Sequence, residues 1–241
     1  MKNILVTGVS KGLGFEISKT LLEEGYFVYG LSRKANDNTD QLSKEFYDNF
    51  NHIRYDLSDT AGIKTFWKEN FLAANIPVHG FVNNAALAVD DLITNINLEK
   101  LEEMCRVNVI APFLLTKNVL RNMLLHQIKG SLVHISSISA HTGYKGLAMY
   151  ASTKGALEAF SKNTAREWGE KGIRSNCVVA GFMETEMSSK LDDETKNRIF
   201  KRTSLKKPTS TRSVAQTVSF LLSDRSASIT GQNIFVDSGT I

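Results

Sequence analysis

The 241 residues are 42% hydrophobic and 22% charged with only three prolines, a composition that argues against disorder and suits one compact domain over residues 1–241. The formal charge is +4, but the basic residues are spread through helical stretches with no aromatic-rich basic block, which argues against nucleic acid and suits phosphate-bearing ligands. No stretch approaches the roughly 20 apolar residues of a membrane span, no secretory signal is expected, and Cys105 and Cys177 lie far apart without CxxC or histidine neighbours. Reduced thiols in a cytoplasmic protein are therefore expected, with neither disulfide nor metal site.

In chain order, a strand is predicted over residues 3–7, followed at once by Thr7-Gly8-Val9-Ser10-Lys11-Gly12-Leu13-Gly14 and an amphipathic helix over 13–24. Glycines let the backbone approach a pyrophosphate, and a helix N-terminus offers free N–H groups and a positive dipole end to an anion. The spacing Gly-x-x-x-Gly-x-Gly is neither the dinucleotide fingerprint G-x-G-x-x-G nor a P-loop, and a bare glycine turn is the alternative reading. Strand, turn and helix in immediate succession favour the ligand. The second strand, over 27–31, runs into Ser32-Arg33-Lys34 with no acidic residue. An NAD site usually places an acid there for the ribose 2′-OH. Arg33 offers a guanidinium for a 2′-phosphate instead, and Lys11 is either a second positive charge for it or a solvated surface cation. Together these residues point to NADP(H).

Strands over 52–55, 80–83, 131–135, 173–179 and 232–236 alternate with helices over 63–74, 98–125, 151–171 and 213–222. Seven strands joined through helices demand a parallel sheet covered on both faces, so the fold class is α/β, Rossmann-like and doubly wound. Ligands in such sheets sit past the carboxyl ends of the strands. Residues 182–211 fit the alternation least and are read as a substrate lid. Its Lys190, Lys196, Arg198, Lys201, Arg202, Lys206 and Lys207, with Lys129 and Lys171 nearby, suit an acidic carrier protein or a phosphate-bearing substrate, and suit a solvated helix face equally well.

Tyr150 and Lys154 are four residues apart and so share one helix face. A cation within about 4–6 Å favours a phenolate, so Lys154 is expected to tune Tyr150 as a general acid/base. Taken alone, the pair fits a helix surface as well as a site. Ser136 and Ser137 end a strand at the edge where ligands gather, and a serine there can hydrogen-bond a substrate carbonyl while the tyrosine delivers a proton. His134 reads as a strand residue, and His141 faces either substrate or solvent.

These segments, with Asp56-Leu57, Asn83-Asn84-Ala85, Asn108 and Ile229-Thr230-Gly231, stand in the order found in the short-chain dehydrogenase/reductases, which the sequence resembles along nearly its whole length. The resemblance implies a catalytic tetrad of Asn108, Ser137, Tyr150 and Lys154. In it Tyr150 exchanges the proton, Ser137 polarises the carbonyl, Lys154 binds the nicotinamide ribose and lowers the tyrosine pKa, and Asn108 holds a water for a proton relay. It further implies cofactor contacts from Gly8, Ser10, Lys11, Gly12, Leu13 and Gly14, from Ser32 and Arg33, and from Asp56 and Leu57 at the adenine. Asn84 and Ala85 fall at the adenosine ribose, and Met183 and Thr185 near the nicotinamide. Without the resemblance, Asn108 is an ordinary helix polar residue and Asp56 a turn former.

Gly181-Phe182-Met183-Glu184-Thr185-Glu186-Met187 and the ending through Gly239 are most similar to the 3-oxoacyl-[acyl-carrier-protein] reductase group. This implies a small-molecule or carrier-bound carbonyl substrate, a role in fatty acid biosynthesis and a homotetramer; reductases of sugar, polyol or secondary-metabolite ketones share the same segments. Two positions depart from the family pattern. Ala180 stands where proline usually fixes φ, and Ala86 replaces a glycine beside the cofactor. The competing class is a nucleotide-sensing regulator that kept the fold and lost catalysis; such proteins typically lack the tyrosine or lysine, and both are present here.

Overall fold

The structure, a computed structural model, describes residues 1–186 and 192–241. Seven strands, β1 (Asn3–Thr7), β2 (Phe27–Ser32), β3 (Phe50–Arg54), β4 (Gly80–Asn83), β5 (Ser131–Ser137), β6 (Arg174–Ala180) and β7 (Asn233–Val236), form one sheet in the order β3-β2-β1-β4-β5-β6-β7. Every pairing is parallel, as the alternation of strands and helices demands. Successive strand residues point to opposite faces. Accordingly, Ile4 and Val6 of β1 enter one core while Leu5 enters the other.

The first core is covered by α1 (Gly12–Glu23), α2 (Asp37–Glu45) and α8 (Thr211–Leu222), through residues such as Ile17, Leu42 and Val218. The second is covered by α3 (Ile63–Trp67) and α5 (Ala111–Leu125), through Phe66, Trp67, Leu115 and Val119. Beside α5 lies α6 (Ala148–Trp168), against β5 and β6, with Phe113 stacked on Phe160 at 3.9 Å between ring centroids. Burial on both faces explains why the strands read as continuous apolar runs.

The sequence order turns back at β1, whose neighbours are β2 and β4. The crevice past these two strands is the expected ligand position. It is braced by Thr7, whose buried hydroxyl accepts the N–H groups of both Asn84 and Ala85 at 3.0 Å, while Asn84 Nδ2 donates to the Thr7 carbonyl at 2.9 Å.

Several boundaries differ from expectation. β5 runs two residues further, so Ser137 is its last residue, and α6 begins three residues earlier, so Tyr150 lies in its first turn. The long helix expected over 98–125 comprises α4 (Leu98–Cys105), a π-helical turn (Arg106–Ile110) holding Asn108, and α5. A second π turn, Lys68–Leu72, continues α3. α2 and α7 (Asp193–Arg202) were not expected, because neither carries an apolar stripe. Side-chain caps start them: Asn36 accepts from Thr39 N at 3.2 Å and Asp192 from Thr195 N at 2.7 Å. α7 falls inside the expected lid, where Phe182 and Phe200 pair at 5.9 Å. Lys190 and Met187 lie outside the described residues. Among the described residues no helix is long and apolar enough to cross a membrane, and no cluster of His, Cys, Asp or Glu is arranged to hold a metal.

Two glycines separate backbone necessity from tolerance. A Cβ at Gly14 would stand 2.0 Å from the Gly8 carbonyl oxygen, whereas one at Gly155 in α6 meets nothing within 4 Å. Gly14→Ala is expected to cost about 1–3 kcal/mol of stability and Gly155→Ala to gain about 0.5–1 kcal/mol. Denaturant unfolding of both variants checks the contrast.

Candidate active site

The glycine turn reaches α1 through Lys11, whose extended backbone precedes the helix without a side-chain cap, and the first helical turn holds no acidic residue. Its N–H groups and dipole end are thus left to an anion. Gly8 and Gly12 adopt φ +78° and +55°, the left-handed region that strains other residues. Thr185 faces the turn, 3.6 Å from where a Gly12 Cβ would be. The Ser10 carbonyl is held by the amides of Asn36 at 2.7 Å and Asn38 at 3.0 Å, and Leu13 is buried in the core. These features fit the pyrophosphate of a dinucleotide, which the backbone of residues 10–14 would hold.

The side expected to take the adenosine is less built. Arg33 is exposed at the end of β2. The Ser32 hydroxyl is bonded to the Lys34 carbonyl at 3.0 Å and lies 2.8 Å from His52 Nε2. Lys11 reaches Glu186 at 2.7 Å, an exposed pair spanning from the glycine turn to the segment after β6. Such exposed pairs contribute only about 0–1 kcal/mol, so Lys11 can exchange Glu186 for a phosphate at little cost. Asp56 is exposed and accepts from Ser58 N at 2.9 Å, Leu57 is buried, and the Ala85 N–H is taken by Thr7. Met183 packs against the first core.

At the other end of the crevice, α6 lies along the end of β5. Ser137 stands beside the Tyr150 phenol, where its hydroxyl favours the ionised form. Lys154 is buried, its ammonium over the Tyr150 ring at 5.6 Å from the centroid, and it donates to the Ile135 carbonyl at 2.8 Å. Asn108 stands further back. Its Oδ1 accepts the Leu87 N–H at 2.8 Å, and its Nδ2 donates to the Leu87 carbonyl at 2.8 Å and to Thr153 Oγ1 at 3.1 Å. The side chain therefore clamps the π turn to the segment after β4 and to α6. Three of the four tetrad positions meet directly, and the fourth joins them through Thr153.

The electrostatics correct one expectation. Burial pushes Tyr150 up to about 12, the Ser137 hydroxyl works against that rise, and the Asp90 carboxylate adds to it. The lowering expected from Lys154 does not figure among these effects, and stripping water from the phenolate decides the direction. Lys154 is itself lowered to about 8 by burial, with Cys177 acting in the opposite direction. Tyr150 thus holds its proton at neutral pH. His134, fully buried between Phe81 and Phe160, is lowered to about 4 by burial and by Lys154, so it adds no charge beside the ammonium.

Glu158 and the bracing roles of Thr7 and Thr153 escaped the sequence reading. The spacing signal for Glu158 was present, since it follows Lys154 by four residues on the same helix. His141 is partly exposed but engaged on its inner side: its Nε2 lies 2.9 Å from the Glu158 carboxylate, and its ring packs on Phe235.

A doubly wound sheet with a glycine-turn anion site, and a tyrosine and lysine at its carboxyl edge, defines a nucleotide-dependent oxidoreductase in outline. Comparison with known proteins makes the class definite. Residues 8–240 match the family described as enoyl-(acyl carrier protein) reductase. The chain is 32% identical over 241 residues to the 3-oxoacyl-[acyl-carrier-protein] reductase FabG of Chlamydia trachomatis, covering 99% of this chain and 96% of that one. It is 35% identical over 239 residues to carbonyl reductase [NADPH] 2 of Sus scrofa, covering 98% and 94%. A solved 4-hydroxyisoleucine dehydrogenase complexed with NADH superposes with a TM-score of 0.93 at 25% identity, covering 100% and 98%. The chain belongs to the short-chain dehydrogenase/reductase family, whose enzymes act on CH–OH and C=O groups with NAD(P).

The buried ammonium yields a prediction with a defined sign. Because the Lys154 pKa falls from 10.5 to about 8 on folding, its desolvation cost is present in full below pH 8 and is relieved as pH rises towards 10.5. The shift corresponds to about 3 kcal/mol, against about 1–3 kcal/mol for leaving the Ile135 carbonyl without its donor. Lys154→Met is expected to be as stable as wild type or up to about 2 kcal/mol more stable at pH 7, with that advantage shrinking between pH 8 and 10.5. Urea unfolding across this pH range tests it; a variant clearly less stable at pH 7 would refute the argument.

Proposed function

We propose that the chain is an NADPH-dependent carbonyl reductase of the 3-oxoacyl-[acyl-carrier-protein] reductase type. The observation that carries this reading is the contact of Tyr150 with Ser137, above the Lys154 ammonium, at the edge where the glycine turn opens. When bound, NADPH supplies a hydride to the carbonyl carbon. Tyr150 Oη gives its proton to the carbonyl oxygen, so that an alcohol forms, and Ser137 Oγ stabilises the negative charge developing on that oxygen. The tyrosinate left behind is held by Ser137 and by the Lys154 charge. A tyrosine that keeps its proton at neutral pH suits the reductive direction. Lys154, with one proton on Ile135, has two further protons to offer the nicotinamide ribose. Since the Asn108 side chain is spent on Leu87 and Thr153, a relay water would be held by its main-chain carbonyl in the π turn.

The preference for NADPH rests on exposed Arg33 at the end of β2, with Lys11 as second cation. The carrier-bound substrate rests on the likeness to FabG and on the basic residues of α7 and its flank, Lys196, Arg198, Lys201, Arg202, Lys206 and Lys207. The likeness to the Sus scrofa carbonyl reductase favours a small ketone as the second reading. A screen of NADPH oxidation across β-ketoacyl thioesters, keto sugars and cyclic ketones separates the two.

With a verified substrate, Tyr150→Phe is expected to lower kcat about 10²–10⁴-fold while the NADPH dissociation constant stays within about threefold. Near wild-type turnover would sink the assignment. Arg33→Ala is expected to weaken NADPH binding about 10–100-fold, the effect of losing a charge-assisted hydrogen bond, and to leave NADH binding unchanged. Calorimetric titration with both cofactors reads this, and equal affinities in wild type would refute the 2′-phosphate role.

A further inference from the structure

Glu158 is nearly buried, with a tenth of its side chain exposed, and its carboxylate gathers donors from three separate segments. The Ser136 hydroxyl, in β5, bonds to Oε1. His141 Nε2, in the turn after β5, lies 2.9 Å from the carboxylate. Asn233 Nδ2, on edge strand β7, donates to Oε2 at 2.6 Å. Ser136 and His141 flank the short stretch that begins with Ser137. Within that stretch a 3₁₀ turn (Ile138–Ala140) follows, Ser139 N donates to Ser137 Oγ at 3.2 Å, and His141 N closes on the Ile138 carbonyl at 2.9 Å. One carboxylate on α6 therefore pins both ends of the segment that presents Ser137 to Tyr150, two helical turns away on the same helix.

A buried carboxylate is costly unless it is fully hydrogen-bonded; here the donors come from the β5 end, the following turn and β7. An apolar residue at position 158 would pack α6 on the sheet without tying the 136–141 segment to it. The surrounding titratable groups on α6 and β6 are Lys154, Lys162 and Cys177. Burial pushes the Cys177 thiol up to about 12, a rise to which Glu158 adds, so it is neutral.

We propose that Glu158 is a positioning residue for carbonyl reduction: by holding Ser136 and His141 together it fixes the Ser137 hydroxyl against the Tyr150 phenol. The proposal rests on the reading of Tyr150 as proton donor given above. Removal of the bracket loosens Ser137, the one neighbour that favours the Tyr150 phenolate.

The test compares Glu158→Leu, Glu158→Gln, His141→Ala and Tyr150→Phe in the full-length protein. Glu158→Leu is expected to lower kcat about 10–100-fold with the KM for NADPH unchanged. It should also move the alkaline rise of alcohol oxidation up by about one pH unit and add little to Ser137→Ala in a double-mutant cycle. Glu158→Gln keeps an acceptor for Ser136 and His141, and a flipped Asn233 amide accepts its N–H, so it should restore kcat to within about threefold of wild type. His141→Ala removes one arm on a partly exposed side chain, and should show the same pH shift in smaller measure even where Glu158→Leu fails to fold. An unchanged pH profile, or full additivity with Ser137→Ala, overturns the bracket and leaves Glu158 a packing residue. A fully active Tyr150→Phe would instead overturn the underlying reading of the site.

Discussion

The structure depends on how α6 is laid along the last three residues of β5. Lys154 takes the Ile135 carbonyl, Glu158 takes the Ser136 hydroxyl, and Tyr150 meets the Ser137 hydroxyl. Three side chains spaced by four on a helix thus grip three consecutive strand residues. The grip specifies the register, because a slip of one residue would break all three contacts at once. Rigid elements therefore set the distances at the proposed proton-transfer site, and the loop after β5 is fastened to them.

This arrangement holds an ammonium and a carboxylate out of water, each with few partners to spare. The two sit in different surroundings: Lys154 has one carbonyl partner and a lowered pKa, whereas Glu158 has donors from three segments. Burial acts on Tyr150 in the opposite sense, holding its proton in place. His134 stays neutral between two aromatic rings, with neither ring nitrogen hydrogen-bonded. Polar groups left so poorly satisfied in an otherwise apolar core mark where the fold gives up stability for chemistry.

The proposed adenosine end is built on a different principle. Its cations, Arg33 and Lys11, are long exposed side chains at the rim, and the Lys11 bond to Glu186 is exposed at both ends. The proposed anion site itself is backbone, set by glycine conformations and by the Thr7 hydroxyl that ties β1 to the segment after β4. Sequence changes at the rim can therefore alter which dinucleotide is preferred without disturbing the sheet.

The sequence by itself determined the parallel sheet and the glycine turn, because each is written in local pattern: continuous apolar runs, and glycines directly after a strand. The candidate tetrad came from the resemblance to a family, since Tyr150 four residues before Lys154 fits a helix surface as well as a site. The sequence did not reveal α2 or α7, whose signal is a single capping side chain rather than an apolar stripe. Only the tertiary structure decided that Tyr150 is raised rather than lowered, since desolvation depends on what packs over the phenol. Only the tertiary structure, too, brought His141, Ser136 and Asn233 onto Glu158. Those residues are separated by up to 97 positions in the chain, and no periodicity links a turn, two strands and a helix until the sheet has formed.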